Sequence, residues 1–174
     1  SNDLTALDVR NNTELTILAC SSNDLTELDV SQNTKLTSLY CKFNDLTALD
    51  VRNNTELTIL ECFSNDLTEL DVSQNKKLTF LYCDSNNLTT LDISQNTGLT
   101  HLSCSDNMYV IVVTDHSFDL STLPGNFDIN KASDWTNATI DGNTLTVTDL
   151  KADVTYTYNL GNEKTATFTL HPVS

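Results

Sequence analysis

Apolar positions recur along residues 2–107 with an unbroken period of 21. Leu4, Leu25, Leu46, Leu67 and Leu88 occupy one column. Leu7, Leu28, Leu49, Leu70 and Leu91 form the next, followed by Val9, Val30, Val51, Val72 and Ile93. A second set follows in each unit: Leu15 to Leu99, Leu18 to Leu102, and Cys20, Cys41, Cys62, Cys83 and Cys104. The unit reads N-x-L-T-x-L-D-V-x-x-N-x-x-L-T-x-L-x-C-x-x, and nearly everything between the apolar columns is polar. One such unit cannot bury its own leucines, so the pattern predicts stacked coils sharing one continuous core. Each unit also has two similar halves, since Leu15-x-x-Leu18-x-Cys20-x-x-Asn23 mirrors Leu4-x-x-Leu7-x-Val9-x-x-Asn12. Two extended segments per coil are expected, with turns at the Asn joints, where the side chain can close the turn. Thr, Asp, Asn and Val crowd both halves, so little helix is expected.

The pattern dissolves after Asn107. Met108–Thr114 is an apolar run suited to a last strand that closes the core. Pro124-Gly125 marks a turn within a loop-like stretch. Ile140, Leu145 and Val147 flank Asp141-Gly142, a favoured hairpin turn. Val154, Tyr156, Tyr158 and Leu160 alternate with polar residues, Gly161-Asn162 turns the chain, and Ala166, Phe168 and Leu170 alternate back. The division expected is a solenoid over 1–112, with five repeats and a closing strand, and a small antiparallel β-domain over 113–174 that caps it. Trp135 is expected in the core of that domain. Ser1-Asn2 matches Ser22-Asn23 in repeat phase, so no N-terminal cap precedes the first coil. Solenoids need capped ends, and the chain is expected to be a piece of a longer protein.

A period of 20–29 residues containing L-x-x-L-x-C-x-x-N is the leucine-rich-repeat signature. Five cysteines at one spacing share one inward site per coil. Zinc needs about four converging ligands, which a linear column does not offer. Disulfides between coils are disfavoured because side chains in register point the same way. Stacked free thiols acting as small hydrophobes fit best. The unit L-x-x-L-x-C-x-x-N-x-L-T-x-L-D-V-S-x-N-T, carried by Ser21–Thr34 and Asp84–Thr97, resembles the cysteine-ladder internalins, surface proteins of Gram-positive bacteria. The resemblance covers residues 2 to about 112. It implies a secreted or cell-surface adhesion or interaction protein, and it makes the C-terminal segment similar to the immunoglobulin-like domains that follow such repeats.

Variation inside the repeat points to a binding face. In the first half, position 8 and its equivalents are always Asp, and position 10 reads Arg, Ser, Arg, Ser, Ser. The second half is irregular. Strand residues alternate sides, so with Leu and Cys inward the intervening positions face out, on what is the concave surface of a leucine-rich repeat. There Tyr40, Phe43, Ile59, Phe63, Phe80 and Tyr82 make an apolar-aromatic patch, rimmed by Lys42, Glu61, Asp84 and His101. Aromatic patches of this kind mark interaction sites. Tyr40, Phe63, Phe80 and Tyr82 are expected to carry most of the affinity.

Charge and chemistry narrow the partner. A formal net charge of −15 repels nucleic acid and anionic membrane surfaces. No apolar run is long enough to span a membrane. His101, His116 and His171 lie far apart and match no metal-ligand or triad spacing, so neither an enzyme nor a cofactor is expected. Asp8, Asp29, Asp50, Asp71 and Asp92 form a column that repels itself unless backbone N–H groups or cations compensate it. Calcium-binding solenoids pair such Asp with Gly-rich turns, and here no Gly precedes Gly98. A protein partner is therefore the leading expectation. A glycan, or a purely structural spacer role, is the alternative.

Overall fold

The computed structural model describes residues 2–174. Ser1, whose match to Ser22 extends the repeat phase, lies outside the described residues. Five short strands, β1 (Ile17–Ala19), β2 (Ser38–Tyr40), β3 (Ile59–Glu61), β4 (Phe80–Tyr82) and β5 (His101–Ser103), stack in that order as one parallel sheet. Their register pairs Leu18 with Leu39, Leu39 with Leu60, Leu60 with Leu81 and Leu81 with Leu102, a constant step of one repeat. The fold is a mostly-β leucine-rich-repeat solenoid, and no α-helix occurs among the described residues. Leucine, valine and cysteine columns fill its interior, where Leu39, Cys41, Leu60, Cys62, Leu81 and Cys83 are all inaccessible to solvent. The first coil is the least covered: Leu4 is 44% exposed, whereas Leu25, Leu46, Leu67 and Leu88 are 0% exposed.

Only the second half of each coil makes a β-ladder. The first half forms no strand: adjacent coils share one backbone bond there, as from Asp45 N to the Leu25 carbonyl, and polar side chains take other backbone groups that a ladder needs. Asp29 accepts from the N–H of Ser31, two residues on, and turns the chain. Asn54 Nδ2 donates to the carbonyls of Val30 and Asn33 in the preceding coil, each at 2.9 Å, and Asn75 and Asn96 repeat the arrangement. The second Asn column works harder. Asn65 Nδ2 donates to Cys62 in its own coil and Cys41 in the previous one, while its Oδ1 accepts from the N–H of Leu46. A threonine column adds a third ladder: Thr37, Thr58, Thr79 and Thr100 each donate Oγ1–H to the carbonyl of the threonine one coil earlier. Polar side chains thus satisfy backbone groups that burial would otherwise leave costly.

The C-terminal unit holds a three-stranded antiparallel sheet of β7 (Ser117–Asp119), β10 (Thr144–Val147) and β9 (Ala138–Asp141). A four-stranded sheet runs in the order β6 (Met108–Val112), β12 (Lys164–Val173), β11 (Val154–Gly161) and β8 (Ala132–Ser133). Both hairpins form at the turns read from the sequence. Strand β6 differs from expectation in its partner. It does not extend the solenoid sheet but pairs in parallel with β12, burying Ile111 and leaving Val110 and Val112 exposed. Parallel pairing with a ten-residue strand gives β6 more hydrogen bonds than a three-residue neighbour offers. The unit is fixed to the last coils by Tyr156 Oη donating to the Thr89 carbonyl at 2.5 Å and Asn162 Nδ2 donating to the Ile93 carbonyl at 2.6 Å. The Ile93 N–H also donates to the Leu160 carbonyl at 2.8 Å. Trp135 is half-buried and stacks on Tyr156 with ring centroids 4.6 Å apart.

Candidate functional site

With Leu and Cys directed inward, the residues on either side of each strand leucine project from the outer face of the β1–β5 sheet. The register makes them rows. One row runs Ile17, Ser38, Ile59, Phe80, His101 and the next Ala19, Tyr40, Glu61, Tyr82, Ser103. The positions just beyond the strands, Lys42, Phe63 and Asp84, and then Phe43, flank them. Tyr40, Ile59, Phe63, Phe80 and Tyr82 are half-buried, neither sunk in the core nor fully free. Ser38 departs from expectation in being buried.

The rings are organised. Phe43 meets Phe63 edge-on at 5.1 Å, and Phe80 stacks on His101 at 4.5 Å with 12° between the planes. Lys42 Nζ lies 5.1 Å from the Phe63 ring centre and 2.7 Å from Glu61 Oε2. This pair is partly desolvated, with side-chain exposures of 33% and 19%. It cancels the central charge and holds the surrounding rings in place. Asp84 Oδ1 accepts from Ser103 Oγ, Ser105 N and Ser105 Oγ, which consumes most of its local bonding capacity.

Phe43 has a conformational cost as well. It sits at φ 54°, in the left-handed region, at a site where the other coils place Ser22, Ser64, Ser85 and Asp106. A bulky residue there is disfavoured by roughly 1–2 kcal/mol, and its side chain is 50% exposed. Core packing gives no reason for a phenylalanine at this point.

The face ends in a cleft of about 560 Å³ lined by Tyr82, Thr100, His101, Ser103, Lys164 and Thr165. The last two come from the hairpin of the C-terminal unit. Sequence reading missed them, because nothing local in Glu163-Lys164-Thr165 signals proximity to a strand some sixty residues upstream.

The aspartate column lies elsewhere on the coil. Each carboxylate accepts the N–H two residues on, at 2.8–3.0 Å. Arg10 and Arg52 add side-chain bonds to Asp8 and Asp50, and these bonds, with the backbone N–H groups, pull both acids down to about 2. The column is thus compensated from within the chain. No group of three or more His, Cys, Asp or Glu positioned to hold a metal ion occurs among the described residues. The three histidines are separately engaged, His116 with the Val147 carbonyl and His171 with Asp153, each far from His101 in the chain.

No protein-family model and no curated protein matches the chain. Among solved structures it is similar to the functional domain of InlJ from Listeria monocytogenes, which includes a cysteine ladder. The two share 30% identity with a TM-score of 0.51, over 99% of this chain and 51% of that one. It is also similar to an internalin, InlF, from Listeria monocytogenes strain 4b F2365. Here the identity is 27% and the TM-score 0.58, over 61% of this chain and 33% of that one. The chain therefore spans about half the length of the first relative and a third of the second. The structural neighbours are internalins, and the cysteine ladder is a shared feature.

Proposed function

We propose that this internalin-like solenoid is a non-enzymatic protein-binding module of a secreted or cell-surface bacterial adhesion protein, and that its partner docks on the outer face of the β1–β5 sheet. Phe43 is the observation that carries the reading. A half-exposed phenylalanine in a left-handed conformation lowers stability and solubility, so its presence here is best accounted for by contact with something outside the chain. Tyr40, Phe63, Phe80 and Tyr82 extend the same surface, and the rings of Phe63 and Phe80 are already ordered by Phe43 and His101, which lowers the entropy lost on docking. Ile59, Glu61 and Lys42 occupy its centre, and Asp84 and His101 its C-terminal margin. The internalin likeness supports the class, and the irregularity of this face against the constancy of the rest of the coil supports the location.

The test is Phe43→Asn, since Asn tolerates the left-handed region. Thermal unfolding is expected to show stability unchanged or raised by up to about 1 kcal/mol. Partner captured from host or bacterial surface extracts, then purified, is expected to bind the variant at least about tenfold more weakly, as for an interface anchor. Unchanged affinity of that partner for Phe43→Asn and for Tyr82→Ala would refute the location. Binding of purified glycans, with no protein captured, would favour the carbohydrate alternative.

A further inference from the structure

The cleft at the C-terminal end of the sheet face has a charge character unlike the rest of the molecule. The chain carries 24 acidic and 9 basic residues. Arg10, Lys35, Lys42, Arg52, Lys77 and Lys131 are each spent in an ion pair with a neighbouring carboxylate. Three lysines have no ion pair among the described residues. Lys76 and Lys151 are exposed, and Lys164 is half-buried on the wall of the cleft. A half-buried lysine without an ion pair, on a protein this acidic, is suited to meet an anion from outside the chain.

The hydrogen-bond arithmetic around His101 sharpens the picture. Thr100 Oγ1 donates its one proton to the Thr79 carbonyl at 3.1 Å. The same hydroxyl lies 2.9 Å from His101 Nδ1 and holds the ring in place. The ring is further held flat against Phe80. Tyr82 and Thr165 add hydroxyl groups to the lining. A lysine without an ion pair among hydroxyl-bearing residues matches a carboxylate.

We propose that this cleft receives an acidic side chain, Asp or Glu, of the protein partner, with Lys164 as the charge that selects it. The inference rests on the sheet face being the docking surface, and it makes the C-terminal unit part of the recognition surface as well as a cap. Charge complementarity chooses the occupant, because any other approach of an acidic segment meets a surface of net negative charge.

The probes are N-acetyl-Tyr-Glu-amide and N-acetyl-Tyr-Gln-amide, titrated into the ¹⁵N-labelled chain, with the methyl glycoside of N-acetylneuraminic acid as a glycan carboxylate. The glutamyl peptide is expected to shift the amides of Leu102, Ser103, Lys164 and Thr165 saturably, with affinity in the millimolar range. The glutaminyl peptide should bind at least about fivefold more weakly, and Lys164→Gln should abolish that difference while Lys151→Gln preserves it. Equal response to the two peptides, or an unaltered preference in Lys164→Gln with an otherwise native spectrum, would overturn the proposal. Tighter binding of the neuraminic glycoside at the same amides would replace the protein carboxylate with a glycan one. If Phe43→Asn loses the captured partner while Lys164→Gln keeps both partner and peptide affinity, the cleft assignment fails and the docking face stands.

Discussion

At the scale of single residues, environment decides chemistry. Burial pushes the Cys20 thiol up to about 11 and Cys62 to about 12 and raises Cys41, while a hydrogen bond with Cys104, and burial after it, raises Cys83. A thiol that stays protonated does not attack disulfides. Ellman's reagent at pH 8 is therefore expected to find essentially no reactive cysteine in the native chain and all five after denaturation, since all five are free and buried. The aspartate column behaves in the opposite sense. Asp50 is held at about 2 by Arg52, below the ordinary carboxylate value of about 3.9. A depressed acid contributes stability that is fully present above the unfolded value and is lost as pH falls through the folded one. The loss from Asp50 thus falls between about pH 4 and pH 2. In Arg52→Met the Asp50 carboxyl is expected to titrate closer to its ordinary value, read by carboxyl ¹³C chemical shift. No upward movement would show that the backbone N–H alone sets it.

At the scale of elements, the sequence was legible where one period governed. The period of 21 located every strand of the solenoid sheet, because an inward leucine and cysteine leave one register available. The hairpins were legible for a similar local reason, as Asp141-Gly142 and Gly161-Asn162 supply the backbone conformations that tight turns need. Three things were not. The Thr16–Thr100 column carries inter-coil bonds, yet Thr in an extended segment has a ready explanation in strand preference alone. The first half of the coil reads as a strand by pattern, but it keeps one backbone bond to the next coil, and Asn and Asp side chains take other backbone groups. Strand β6 was recognisable, whereas its pairing with β12 depends on contacts across some sixty residues. A separate long-range approach, of β11 to the last coil, makes Gly161 a sensitive point. It has φ 90°, and a Cβ there would lie 3.0 Å from Ser94 Cα and Cβ. Gly161→Val is expected to cost about 1–3 kcal/mol, with hydrogen exchange rising in β11 and β12 while β1–β4 stay protected. Uniform loss of protection would mean that the hairpin and the coils unfold as one.

At the scale of the whole molecule, stability is a chain of nearest-neighbour contacts between coils. Asn75 bridges its own coil to the carbonyls of Val51 and Asn54 at the middle of the stack. Asn75→Ala removes one of the two bonds that each of these carbonyls accepts, leaving them the turn bonds from Asn54 N and Leu57 N, and is expected to cost about 1–2 kcal/mol in urea unfolding. It should also broaden the transition, because the break falls between two halves that each retain coils. Asn33→Ala, near the first coil, should cost less and leave the transition sharp; equal effects would argue against a nearest-neighbour solenoid. The contacts that tie coil to coil come from Asn, Thr, Leu and Cys at invariant positions. The sheet face adds ties of its own, Phe43 against Phe63, Lys42 with Glu61, Phe80 against His101 and Asp84 with Ser103 and Ser105, but these differ from one coil to the next and none recurs along the stack. Scaffold and message are therefore written with different letters. Such a protein is free to rewrite what it recognises without renegotiating how it folds, and to lengthen its footprint by about 4.8 Å for every coil it duplicates.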